Sequence, residues 1–373
     1  MSSPDPVKPV HILFVGAGAV GCFYASRLHH PEHNLYASLT ARSNYGVIAS
    51  SGVDLQTHTF GDYVFKPHSV FPSVDAAVPG VSRPAETDTS QQAPPQPPPG
   101  DGWDYVVVTT KALPDQTDDA AMIAPLVSAK TCIVLIQNGI GVEEPYRTRF
   151  PQNPIISAVT VISAEQIKQG TIRQNRWTRI SIGPFGKGLD GTPDSGEDVD
   201  GLVKRGEECM SNLAQWWGVH GKIPDVKIHS EIELQTIRWH KLCINSAFNP
   251  SAVLSGGLGN ADQLKDAELR EHIMGIMQEV WDAAPKVLGQ PLPDDLGTPE
   301  RIIRSTERNA GAKPSMLLDW ESGRPMELEV ILGNPIKIAK RAGVTMPRMQ
   351  SVYALLRSMQ NQRDANNSKN KLA

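Results

Sequence analysis

Six apolar residues, Val10 to Val15, run directly into Gly16-Ala17-Gly18-Ala19-Val20-Gly21 and then into a segment of helical composition, Cys22 to Leu28. No other stretch restricts the fold as much. A strand, a G-x-G-x-x-G turn and a helix in that order predict the first βα turn of a dinucleotide-binding sheet. Gly16 permits the turn, Gly18 lets the backbone approach a pyrophosphate, and Gly21 lets the helix pack close to the strand. The helix N-terminus then faces the phosphate charge with its free N–H groups. A glycine-rich turn without a ligand is the plain alternative; the strand in front of it favours a dinucleotide. Gly16, Ala17, Gly18, Ala19, Val20 and Gly21 are therefore candidate cofactor-binding residues.

The second strand is expected over Leu35 to Thr40, ending in Ala41-Arg42-Ser43. An NAD-binding protein would carry Asp or Glu there to hold the ribose 2′-hydroxyl, whereas an arginine suits a 2′-phosphate. Arg42 thus points to NADP (NADPH), against the alternative of an exposed loop arginine.

Two further apolar runs, Tyr105 to Thr109 and Thr131 to Ile136, read as strands buried on both faces of a parallel sheet. They end in Thr110-Lys111-Ala112 and Gln137-Asn138-Gly139-Ile140-Gly141, so each delivers polar groups at a carboxyl end, where open α/β sheets bind ligands. Alternation from Ile155 onward and around Arg173, Trp177 and Ile180 predicts an antiparallel hairpin that closes this domain. Between Val47 and Val74 the alternation is weak.

A chain of 373 residues with 40% hydrophobic residues can bury more than one core. The expected division is a Rossmann-type domain over 1–229 and a mainly α-helical domain over 230–373, an α/β protein with a helical C-terminal part. Residues from about 76 to 102, including QQAPPQPPPGDG, are too rich in Pro, Gln and Ser to bury apolar surface and are expected to be disordered. A tolerated surface insertion and a proline-rich ligand for a partner both fit that composition. A Gly- and Asp-rich loop is expected from about 186 to 201, and a disordered polar tail from about 360.

In the second part, RWHKLCINSAFNPSAVL (Arg238 to Leu254) spaces Lys241, Asn245 and Asn249 at i, i+4 and i+8, on one face of a helix. Leu242, Ile244, Ala247 and Phe248 between them are apolar, so the helix is expected to be largely buried. A lysine snorkelling to water beside two structural amides is the alternative to a functional stripe.

The net charge of -4 and the pI of about 6.2, with both signs mixed along the chain, give no footprint for nucleic acid. Cys22, Cys132, Cys209 and Cys243 lie far apart without C-x-x-C or His spacing, so no metal site is expected. MSSPDPVKP is too short and polar for a signal peptide, and no segment approaches the ~18 apolar residues of a membrane helix. A cytoplasmic protein without membrane partners is the expectation.

The pattern RW-x-KL-x-x-N-x-x-x-NP resembles the opening helix of the C-terminal domain of ketopantoate reductases (2-dehydropantoate 2-reductases), and the resemblance covers nearly all of the chain apart from the two insertions and the tails. It implies that Lys241 is the proton donor. It further implies that Lys111, of T-x-K-A, and Asn138, of N-G-x-G, sit against the cofactor. In KPSMLLDWESGRPMELEVILG, Ser315 and Glu327 match the family's substrate-binding serine and active-site glutamate; a solvated carboxylate in a first helical turn is the alternative for Glu327. Asn245 and Asn249 would orient the substrate. Leu318 and Met326 depart from the Gln and Thr that members often carry at those places. The implied activity is NADPH-dependent reduction of a 2-oxo acid, most simply ketopantoate to pantoate in pantothenate and coenzyme A biosynthesis. Turnover of another 2-oxo acid or ketone, and a non-catalytic NADP-binding regulatory protein, are the alternatives. The implied partner is the small-molecule substrate; a homodimer is compatible with a sequence that does not fix the oligomeric state.

Overall fold

The structure is a computed structural model that describes residues 8–80, 97–98, 102–186, 199–308 and 311–372. Its chain forms two compact units. One comprises Met1–Thr110, Asp119–Gln137 and Glu143–Leu234; the other comprises Lys111–Asp118, Asn138–Val142 and Gln235–Ala373. The second unit takes the chain from Gln235 onward, and two short pieces of the N-terminal half join it.

The first unit is built on a sheet of strands β1 (Val10–Val15), β2 (Leu35–Thr40), β3 (Val53–Thr57), β4 (Tyr63–Phe65), β5 (Val70–Phe71), β6 (Tyr105–Val108), β7 (Cys132–Leu135), β8 (Ile155–Lys168), β9 (Thr171–Pro184) and β10 (Val226–Ile228). The order is β4-β3-β9-β8-β7-β6-β1-β2-β5, with β10 on β9. From β5 to β8 every pairing is parallel. Read in chain order, those six strands follow the 3-2-1-4-5-6 order of a dinucleotide-binding sheet, whose direction of winding reverses between β1 and β6. Val106, Val107, Val108, Ile133, Val134 and Leu135 are fully buried, as strands covered on both faces require. β8 and β9 pair antiparallel over their length, and the hairpin expected from the alternation is present. The weakly alternating stretch after Val47 is a helix, Tyr45–Ser51, followed by β3, β4 and β5.

The second unit is helical. The helix Glu231–Leu254, which enters it at Gln235, buries Trp239, Leu242, Ala247 and Phe248, and helices Ala267–Leu288, Pro299–Thr306, Ser315–Glu321, Asn334–Arg341 and Pro347–Leu372 also belong to it. Fold class and sequence pattern agree: an α/β unit with a parallel-dominated sheet, then a helical unit.

Two expectations of disorder need correction. The insertion expected over 76–102 is ordered at its ends: Asp75–Ala77 form a helical turn, Ala76 and Ala77 are buried, and Trp103 donates its indole N–H to Ala77 O at 2.9 Å. Residues 81–96 and 99–101 of that stretch lie outside the described residues. The tail expected to be disordered from about 360 continues the helix Pro347–Leu372. Composition misled there because Gln360 and Arg363 dock inward while Asn366 and Asn367 beyond them are exposed. Of the Gly- and Asp-rich loop, residues 187–198 lie outside the described residues, and Val199 already begins the helix Val199–Gln215. No helix among the described residues is long and apolar enough to cross a membrane.

Candidate active site

In the first unit the glycine turn has the stereochemistry its spacing predicts. Gly16 sits at φ 116°, in the region that favours glycine, and accepts from Thr109 Oγ1 at 2.7 Å. A Cβ on Gly21 would lie 2.1 Å from Gly16 O, so the helix can pack this close only without a side chain. Beside Gly18 there is open space: a Cβ there would meet nothing within 4 Å. The helix Ala19–Ser26 starts at Gly18 with no side-chain cap and no acid in its first turn, leaving its N–H groups available to an anion. Asn44 donates from Nδ2 to Ala17 O at 2.9 Å and steadies the turn. Arg42 is exposed just past β2, and its side chain makes no hydrogen bond or ion pair with a described residue. The glycine turn and the free helix N-terminus could hold the pyrophosphate of a dinucleotide.

In the second unit, polar groups from four segments converge. Lys241, partly buried on the helix Glu231–Leu254, donates from Nζ to Asn138 Oδ1 at 2.8 Å. Asn138 in turn donates from Nδ2 to Glu327 Oε2 at 3.4 Å, and Ala112 N–H donates to Glu327 Oε1 at 3.3 Å. Lys111 is ion-paired with Asp319, which also receives Arg324 at 3.2 Å. The segment that carries Asn138 is fixed by its own backbone. Arg238 Nη1 donates to Gly139 O at 3.0 Å, Ile140 N–H to Val330 O at 2.9 Å, and Asn334 Nδ2 to Ile140 O at 3.1 Å.

Burial sets the electrostatics. It lowers the Lys241 ammonium to about 8, helped by the positive charge of Arg238 and partly opposed by Glu327. It raises the Glu327 carboxyl, partly opposed by the charge of Lys111 and the hydrogen bond from Asn138. Lys241 can thus give up a proton near neutral pH, and Glu327 is held where a charged form needs partners.

Asn245 and Asn249 follow Lys241 on the same helix, and their amides make no hydrogen bond with a described residue. Ser315 is exposed at the first turn of the helix Ser315–Glu321, likewise without a side-chain partner. All three remain available to a ligand. The structure therefore joins Lys241, Asn138, Glu327 and Lys111 into one polar set, while no hydrogen bond among the described residues joins Asn245, Asn249 or Ser315 to it. Sequence reasoning assigned no role to Arg238 or Asp319. Arg238 stands one turn before Lys241 on the same helix, but one of its partners is the Gly139 carbonyl, 99 positions away, which no side-chain pattern announces. Among the described residues no group of three or more His, Cys, Asp or Glu side chains could hold a metal ion.

Comparison with known proteins adds a family. Models described as "Ketopantoate reductase PanE/ApbA" and "Ketopantoate reductase PanE/ApbA C terminal" match residues 12–187 and 233–360. An uncharacterised protein of Saccharomyces cerevisiae is 28% identical over 92% of each chain. The 2-dehydropantoate 2-reductase of Nostoc sp. is 24% identical over 92% of this chain and 93% of its own. The crystal structure of 2-dehydropantoate 2-reductase from Methylococcus capsulatus superposes with a TM-score of 0.71 at 30% identity, covering 95% of this chain and 98% of that one.

Proposed function

The chain belongs to the ketopantoate reductase family, a family of oxidoreductases, and on that premise we propose that it reduces a 2-oxo acid to the 2-hydroxy acid with NADPH. Ketopantoate, giving pantoate for pantothenate and coenzyme A biosynthesis in the cytoplasm, is the substrate this reading takes first. The observation that carries it is the Lys241–Asn138–Glu327 chain: a partly desolvated ammonium held by an amide whose other end meets a buried carboxylate. NADPH, when bound, supplies the hydride.

The carbonyl oxygen gains negative charge as the reaction proceeds. Lys241 meets that charge with its ammonium and gives its proton to the oxygen, a contribution of about 100- to 10,000-fold for general acid catalysis. Asn138 holds the Nζ in place and so limits the orientations the donor can take. Glu327 receives a substrate hydroxyl and balances the ammonium through Asn138. Asn245, Asn249 and Ser315, whose polar ends are unengaged among the described residues, take the substrate's carboxylate and hydroxyl groups. Gly16 to Gly21 and Arg42 are assigned to the dinucleotide. Lys111 and Asn138 carry both assignments, to the cofactor and to the acidic pair Asp319 and Glu327. A homodimer is part of the reading and is tested by light scattering.

A second reading keeps the chemistry and changes the substrate to another 2-oxo acid or ketone. Leu318 and Met326 favour it, since both stand beside the acidic pair, and Met326 is a buried apolar residue directly before Glu327. Steady-state NADPH oxidation with ketopantoate, beside a panel of other 2-oxo acids and an NADH control, separates the two. Fast turnover of ketopantoate supports the first reading, and turnover of a different member of the panel supports the second.

A further inference from the structure

The C-terminal helix Pro347–Leu372 adds no side chain to the polar set among the described residues, yet it touches the chain on both sides of Glu327, at the Met326 backbone and at the Glu329 side chain. Gln360 is buried, and its Oε1 accepts the N–H of Met326, the residue before Glu327, at 2.8 Å. Seven positions earlier, on the same face of the helix, Tyr353 donates its hydroxyl to the carboxylate of Glu329, two residues past Glu327. The other oxygen of that carboxylate receives Lys337 Nζ at 3.0 Å. Arg363 adds a further tie: its guanidinium stacks over Trp320 at 4.4 Å and donates to Arg324 O at 2.9 Å. Glu329 also opens the π-helical turn Glu329–Gly333.

We infer that Gln360 and Tyr353 are positioning residues for Glu327: the C-terminal helix holds the peptide before that glutamate and the side chain two residues after it, so that the Glu327 carboxylate meets Ala112 and Asn138. A buried N–H that loses its acceptor costs free energy until the backbone moves to find another. Without the Gln360 oxygen, the Met326 N–H is such a group, and the segment that ends at Glu327 loosens. A displacement of about 1 Å in a reacting group costs about a hundredfold in rate. The kinetic consequence rests on the reductase reading; the structural one does not.

The test uses full-length Gln360→Leu, Gln360→Glu and Tyr353→Phe, with hydrogen exchange by mass spectrometry on peptides spanning 320–333 and kcat and KM for the 2-oxo acid. Gln360→Leu is expected to exchange about tenfold faster over 320–327, with peptides from β1 and β2 unchanged. Its kcat should fall about 10- to 100-fold, more than KM rises. Gln360→Glu, whose carboxylate still accepts the Met326 N–H, should restore both to within about threefold. Tyr353→Phe should loosen 328–333. A folded Gln360→Leu protein with unchanged exchange over 320–327 overturns the inference, as does a Gln360→Glu protein that behaves like Gln360→Leu. Should Gln360→Leu fail to fold, the other two variants decide: wild-type exchange over 328–333 in Tyr353→Phe overturns the inference. A wild-type enzyme that turns over no 2-oxo acid removes the functional reading alone, and the exchange comparison still decides this one.

Discussion

Lys241 Nζ and Asn138 Oδ1 are 2.8 Å apart although 103 positions separate the two residues in the chain. The amide accepts from the ammonium and carries no charge, and burial, helped by Arg238 and partly opposed by Glu327, brings the Lys241 pKa down to about 8. A proton donor with that value loses its proton above it. The kcat for 2-oxo acid reduction should therefore be flat below pH about 8 and fall about tenfold per unit above it. In Asn138→Asp, a carboxylate beside the ammonium favours the charged form and should move this limb to higher pH. A pH-rate profile of both proteins checks the pair, and an unmoved limb would separate Lys241 from the observed titration.

The same shift predicts a stability effect. The folded-state value lies below the ~10.4 of an unfolded lysine, so between about pH 8 and 10.4 the unfolded chain binds more protons than the folded one. The penalty for holding a desolvated ammonium is full below pH about 8 and is relieved as pH rises through that window. Urea midpoints of wild type minus Lys241→Met should become more positive from pH 8 toward 10, and a difference independent of pH would remove the effect.

Glu327→Gln keeps the size of the side chain but puts an NH2 donor in place of one of the two oxygens that separately accept from Ala112 N–H and Asn138 Nδ2, so one of those bonds is lost. We expect a loss of about 10- to 1,000-fold in kcat/KM, with NADPH affinity within about twofold of wild type. Steady-state kinetics and a nicotinamide fluorescence titration provide the comparison.

Arg42 is exposed and unengaged among the described residues, so its removal disturbs nothing else in the fold. Loss of a charge-assisted contact to a 2′-phosphate should weaken NADPH by about 10- to 100-fold while NADH changes by less than about threefold. Equal losses in titrations of Arg42→Ala with the two cofactors would reassign the residue.

Gly139 and Gly18 should respond in opposite ways to a methyl group. At Gly139, with φ 94°, a Cβ would lie 2.5 Å from the Cβ and the carbonyl oxygen of Val330. Gly139→Ala should therefore cost about 2 to 4 kcal/mol of stability. At Gly18 a methyl meets open space, so Gly18→Ala should cost less than about 1 kcal/mol yet weaken NADPH, because the methyl occupies the approach of the pyrophosphate. Urea denaturation and cofactor titration of both variants separate the two effects.

What the chain disclosed in advance was local. The run from Val10 to Leu28 encodes strand, turn and helix in consecutive residues, and Lys241, Asn245 and Asn249 share a face because helical spacing is short-range. The bridging role of Asn138 was not legible, since its two partners lie 103 and 189 positions away. Spacing says nothing about such contacts. The tail failed for a different reason: NQRDANNSKNKLA is polar enough to stay unfolded alone, but Gln360 and Arg363 find backbone partners at Met326 and Arg324, and tertiary contact overrides composition. The proline-rich stretch likewise read as one disordered block, although Ala76 and Ala77 at its start pack beside Trp103 in the core of the first unit.

The most direct test of the account is the initial rate of NADPH oxidation with ketopantoate by wild type and by Lys241→Ala, each first shown to bind NADPH. The account predicts turnover by wild type and a loss of about 100- to 10,000-fold in the variant, with NADPH affinity nearly unchanged. Equal turnover by the two proteins would contradict Lys241 as the proton donor, and tight NADPH binding with no turnover of any 2-oxo acid by wild type would contradict the reductase reading itself.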